Sequence, residues 1–259
     1  MNIVVLLRMV PDVVEELEVA PDGKSLDTEF LRMIVSESDD HALEEALILK
    51  ERYGGKVSVV ALEAPEVDDA LFSALAKGAD RAVKVTGAGA GLSTNACAKI
   101  LAEVVRGDPS LLEADLVLAG TQAIDDLDGL TAPLVSYHLG LPFLGIVTSV
   151  ACDTAAKTAT VTKEFPSSVR GEFEMPLPAV LGIQAAEKPP RYVPVAKVRA
   201  VMKSQSIASV AAPAEAGVVP LEVVQLAKPE VTTHAEMLEG SPEDIAGKLC
   251  GILGERGLL

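Results

Sequence analysis

The run Leu116–Pro142, LVLAGTQAIDDLDGLTAPLVSYHLGLP, decides the fold class. An apolar stretch ends at Gly120, carboxylates gather at Asp125, Asp126 and Asp128, and a segment with helical composition follows. Strand, loop and helix in that order form half of a βα unit. In α/β proteins the loop leaving the carboxyl end of a strand is where ligands sit. Helix starts attract anions, yet three acids precede this one. They either cap the helix or face the hydroxyl and amino donors of a ligand.

Outward from this run the first half of the chain repeats the unit. Ile3–Leu7, Lys56–Leu62, Arg81–Val85 and Asp115–Gly120 read as buried strands. Asp39–Gly55, Val67–Asp80 and Ser93–Gly107 read as helices, with glycine stops at Gly55 and Gly78 and a cap at Ser93. Repeated βα units imply a doubly wound, mostly parallel sheet covered by helices on both faces. After about residue 145 the pattern changes. Thr158–Phe165 alternates as a half-exposed strand does, and Val169–Gln184 continues in that style, so both read as antiparallel additions. The pattern divides the chain into an α/β core over 1–184, a basic loop and short helix over 185–203, and an extended arm over 204–259 with a terminal helix from Ser241.

Composition narrows the function. The chain has 259 residues, a net charge of −16, 49% hydrophobic and 3% aromatic residues and no Trp. Its core must therefore be built from Val, Leu, Ile and Ala. Such a charge disfavours nucleic acid and anionic membranes as partners, since both are polyanions. No apolar run approaches the ~20 residues of a membrane span. The start MNIVVLLRMVPD lacks a basic leader region, which points to a cytoplasmic protein. Cys97, Cys152 and Cys250 are far apart and fit reduced, buried thiols.

Motifs for self-contained catalysis are missing. VTGAGAGLSTN (Val85–Asn95) joins a strand to a helix but carries Leu92 where a dinucleotide fingerprint needs glycine, so it reads as a glycine loop. His41, His138 and His234 have no metal-ligand spacing. Asp39, Asp40, Glu44 and Glu45 at a helix start read as dipole-compensating charges on a solvated face. No catalytic residue and no metal site is expected, and chemistry must come from a bound cofactor or another subunit. Within the otherwise acidic chain, Lys188, Arg191, Lys197, Arg199 and Lys203 form a basic segment, stiffened by Pro189, Pro190 and Pro194.

Several segments carry a family resemblance: HALEEALILKE (His41–Glu51), GADRAVKV (Gly78–Val85), GTQAIDD (Gly120–Asp126), LPAV (Leu177–Val180), PRYVPVAKVRAVMK (Pro190–Lys203) and the terminal GERGLL. In this order they resemble the β subunit of electron transfer flavoprotein, over nearly the whole chain. The resemblance implies a heterodimer whose FAD is held mainly by an α subunit, with AMP, or a second FAD in electron-bifurcating members, on this chain. Electrons would pass from a flavin dehydrogenase of the acyl-CoA dehydrogenase type to a quinone reductase or another acceptor. By the same resemblance, nucleotide positions fall on Leu6, Ser36, Asp39, Glu63, Gly120, Thr121, Gln122, Ala123, Ile124, Asp125, Asp126, Gly129 and Thr131. Partner-recognition positions fall on Ala185, Ala186, Glu187, Lys188, Arg191, Tyr192, Lys197 and Arg199. Gly129 and Leu130 depart from the asparagine-glutamine pair of AMP-type members, whereas Thr131 keeps their pattern. The run Ala185–Lys188 lacks the leucine anchor of common relatives, which implies an unusual dehydrogenase partner. An adenine-nucleotide-binding regulatory module shares the βα pattern, but such modules lack the segment 185–259.

Overall fold

The computed structural model describes residues 1–88, 91–126, 128–213, 223–229 and 235–259. Elements follow the chain as β1 (Asn2–Leu7), β2 (Met9–Pro11), β3 (Met33–Val35), α1 (Glu37–Tyr53), β4 (Lys56–Leu62), α2 (Val67–Lys77), β5 (Arg81–Thr86), α3 (Thr94–Gly107) and α4 (Pro109–Leu112). The second half adds β6 (Leu116–Gly120), α5 (Thr131–Leu139), β7 (Phe143–Asp153), β8 (Thr158–Phe165), β9 (Val169–Pro176), β10 (Ala179–Ile183), α6 (Val195–Ser204), β11 (Ala208–Ala211) and α7 (Pro242–Glu255). His234, Gly89, Ala90 and Leu127 lie outside the described residues.

Nine strands form one sheet in the order β11-β5-β4-β1-β6-β10-β7-β8-β9, while β2 and β3 pair separately. Pairing is parallel from β11 through β7 and antiparallel for β7-β8-β9. Side chains of β1 alternate between two cores, as the period of a strand requires. Ile3, Val5 and Leu7 pack with Leu43, Leu47, Leu71 and Leu75 beneath α1 and α2. Val4 and Leu6 pack with Leu101, Val105 and Val135 beneath α3 and α5. Aliphatic residues dominate both layers, so the shortage of aromatics costs the core nothing in continuity.

The chain winds from β1 through β4 to β5, then returns to lay β6 on the other side of β1. That reversal opens a crevice at the carboxyl ends of β1 and β6, the switch point at which open α/β sheets bind ligands.

Three expectations need correction. The segment Ala179–Ile183 is not an antiparallel addition; β10 inserts parallel between β6 and β7 and is buried along its length. Its unbroken apolar run is the mark of a strand covered on both faces. β7, which the sequence did not single out, pairs parallel with β10 and antiparallel with β8, and the extra residue Ile146 at φ +61° makes a bulge in its pairing with β10, between Gly145 and Val147. The arm expected from residue 204 begins inside this chain's own sheet, because β11 pairs with β5 at the edge. Its far end differs. α7 opens with a capping box between Ser241 and Asp244, and none of its residues is buried. Cys250 on that helix is exposed, contrary to the expectation of buried thiols, while Cys97 and Cys152 are half-buried. No described helix is long and apolar enough to cross a membrane.

Candidate functional site

The switch point is locked by one carboxylate. Asp39, in the first turn of α1, accepts a hydrogen bond of 2.6 Å from the Gly120 N–H and another of 2.8 Å from the Arg8 N–H. The residue is 6% exposed. Burial pushes its carboxyl up to about 7, against the pull of the Gly120 and Arg8 amides and the Arg8 charge. Close approach requires glycine at 120, since a Cβ there would stand 2.1 Å from Ser38 Oγ and 2.7 Å from Asp39 Oδ1.

From the end of β1, the Arg8 guanidinium reaches Asp125 at 3.2 Å and Asp126 at 3.6 Å. The buried Asp126 also accepts from the Asp128 and Gly129 N–H groups at 3.1 and 3.2 Å, which folds the loop back on itself. Gly129 supplies the left-handed turn with φ +61°. Gln122 donates to the Asp126 carbonyl at 2.8 Å, and its own carbonyl accepts from Ser38 Oγ at 2.8 Å. Helix α5 then begins at Thr131, and Leu130 at its N-cap provides no side-chain cap.

These contacts wall a cavity of about 310 Å³. Leu6, Asp39, Glu63, Gly120, Gln122, Ala123, Asp125, Asp126 and Thr131, all expected at the nucleotide, line it together. Leu62, Leu101, Ala119 and Cys97 give it an apolar floor, and burial pushes the Cys97 thiol up. Glu63 accepts from the Gly87 N–H at 2.9 Å and so ties the ends of β4 and β5 together. Ser36 and Ile124 instead line a neighbouring groove with His41 and Gln184. Thr121 is turned into the sheet, donating through Oγ1 to the Gly182 carbonyl at 3.1 Å. Sequence reasoning missed Arg8. A lone cation directly after a fully buried parallel strand was the available signal, because such a position falls at the ligand edge of the sheet.

The acids of α1 are not on a solvated face. Glu44 and Glu45 are 3% and 1% exposed, covered by the chain from 185 to 191. Arg191 donates to both Glu44 oxygens and to Glu51 Oε1 at 2.7 Å. Burial opposes ionisation of Glu44, but hydrogen bonds from the Arg191 side chain and N–H outweigh it and hold its carboxyl below the usual range. The Glu187 N–H donates to Glu45 Oε2 at 3.0 Å, and the Ala186 N–H donates to His41 Nδ1 at 3.2 Å. Arg52 forms an ion pair with Glu187. Beyond this strap Lys188, Tyr192, Lys197 and Arg199 are exposed, while Ala185 stays half-buried. The proline-stiffened loop is thus laid along α1 through Arg191, while Lys188 and the cations of α6 face outward.

Residues 26–229 match the family described as the electron transfer flavoprotein domain. This chain belongs to the electron transfer flavoprotein family. It is 30% identical over 265 residues to the electron transfer flavoprotein subunit beta of Methylophilus methylotrophus, covering 98% of both chains. Identity to the subunit of the same name from Clostridium acetobutylicum is 36% over 199 residues, covering 76% of this chain and 74% of the relative. Protein FixA of Azorhizobium caulinodans is 34% identical over 173 residues, covering 66% of this chain and 61% of the relative. The protein is accordingly an electron transfer flavoprotein subunit of the β type, a family that associates with flavin.

Proposed function

We propose that this electron transfer flavoprotein subunit pairs with an α subunit that holds the redox FAD, and that the switch-point cavity binds AMP. The observation that carries the reading is the cavity itself, walled where βα units reverse direction and locked by Asp39 on Gly120. Its volume lies at the small end of the range for ligand pockets and suits a mononucleotide better than a second FAD. The apolar floor suits a base, Glu63 can accept from hydroxyl or amino donors, and Thr131, the first residue of α5, lines the cavity where its N–H can meet a phosphate.

FAD, when bound, supplies the one- and two-electron chemistry. This chain contributes the brace. α7, with Leu249, Ile252, Leu258 and Leu259 exposed around it, is the segment to lie against the α subunit. α6 presents Lys197, Arg199 and Lys203, none of which has an acid within ion-pair distance among the described residues. Exposed unpaired cations on an acidic protein speed association with an acidic partner, here a flavin dehydrogenase. Electrons then leave for a quinone reductase or another acceptor, in the cytoplasm.

Co-expression with an α chain tests the reading. A one-to-one, flavin-bearing complex that takes electrons from a dehydrogenase is expected, and this chain alone should take none. Reduction of stably bound flavin by the isolated chain would contradict it.

A further inference from the structure

The switch-point cavity poses an electrostatic problem that the AMP reading alone does not solve. Asp39, Glu63, Asp125 and Asp126 line it, and Arg8 is the one cation among its described lining residues. A dianionic phosphate cannot enter such a surround unless a positive charge is released to meet it.

We propose that Arg8 is the residue that reads the phosphate, and that Asp125 is a placeholder carboxylate which the phosphate displaces. The inference rests on the AMP reading and deepens it. Arg8 is fixed at its base, because its backbone N–H is held at 2.8 Å by Asp39 while Asp39 is itself held to Gly120. Its guanidinium is therefore directed across the crevice from β1 to the β6–α5 loop, the place where a phosphate would meet the α5 start.

The two acids it meets there are unequal. Asp126 is 3% exposed at its side chain, committed to the Asp128 and Gly129 amides, and stands at the longer distance of 3.6 Å. Asp125 is 35% exposed and stands at 3.2 Å. Asp125 can swing into water at little cost, whereas Asp126 would leave two amides without their acceptor. A planar guanidinium can then present paired N–H groups to phosphate oxygens while keeping Asp126 as its neighbour. Empty and loaded cavities thus each keep Arg8 paired, by exchange of one anion for another.

The test is calorimetric titration of the purified αβ complex, stripped of nucleotide, with AMP and with adenosine. Wild type should bind AMP at least about tenfold more tightly than adenosine. Arg8→Gln should erase that ratio while leaving adenosine affinity unchanged, which also reports that the variant is folded. Arg8→Lys should keep part of the ratio. Asp125→Asn, by removing the competing anion, should raise AMP affinity and leave adenosine as it was. Equal loss of AMP and adenosine in Arg8→Gln with correct circular dichroism, or weaker AMP binding in Asp125→Asn, would overturn the exchange while leaving the AMP reading in place. Failure of the stripped wild-type complex to bind either compound would overturn both.

Discussion

The Asp39 carboxylate and the Gly120 amide, 81 residues apart in sequence, meet at 2.6 Å and join the start of α1 to the end of β6. This contact ties α1 across the crevice at the carboxyl ends of β1 and β6, with Arg8 as the third member. Substitution at Gly120 tests how rigid the junction is. Gly120→Ala would bring a Cβ within 2.1 Å of Ser38 Oγ, so loop or helix must shift. The expected loss is about 1–3 kcal/mol in urea-unfolding free energy, with nucleotide retention lost first.

The buried carboxylates give a signed pH dependence. Burial raises Glu45 to about 7, assisted by repulsion from the Glu187 carboxylate and opposed by the Glu187 N–H. Asp39 is raised to a similar value. A carboxyl with a raised folded-state pKa contributes stability below its unfolded value, and that contribution is lost as pH rises towards 7. Glu45→Gln should therefore gain stability relative to wild type between pH 5 and pH 8, by on the order of 1–3 kcal/mol. Chemical denaturation at both values checks this. A difference independent of pH would show that Glu45 does not titrate in the window.

Arg191 and Glu44 make the opposite case. Glu44 ionises readily because Arg191 grips both oxygens, so removing the cation strands a buried charge. Arg191→Ala should cost about 1–3 kcal/mol, less than a fully buried pair because the Arg191 side chain is partly solvated. It should also raise amide exchange from residue 186 to 191 while leaving the nucleotide cavity protected, as hydrogen exchange by mass spectrometry would report.

The outward cations predict a separable effect. Charge reversal at Lys197 and Arg199 should slow electron transfer from the dehydrogenase, abolish its salt dependence and leave the heterodimer intact. Stopped-flow reduction across a salt series measures this. Unchanged kinetics at low salt would assign the α6 cations no part in docking.

Legibility in the sequence followed physical range. The parallel core could be read because each strand is a short apolar run followed by an amphipathic helix, a pattern written in neighbouring residues. The Gly120–Thr131 loop could be read because its acids interrupt that pattern. Two features were hidden by distance. β10 looks local to β9, yet its partners β6 and β7 are chosen by burial on both faces. The acids of α1 look solvated because their covering strap arrives from residues 185–191, over 140 positions later. Arg8 was hidden differently, since one cation after a strand carries no pattern until the switch point is known.

Nucleotide analysis of the native αβ complex tests the central claim most directly. Denaturation followed by chromatography should release one FAD and one AMP per heterodimer, and Gly120→Ala should lower the AMP yield without lowering FAD. Release of FAD alone, in full amount and with no other nucleotide, would contradict the account and leave the cavity at the carboxyl ends of β1 and β6 a purely structural feature.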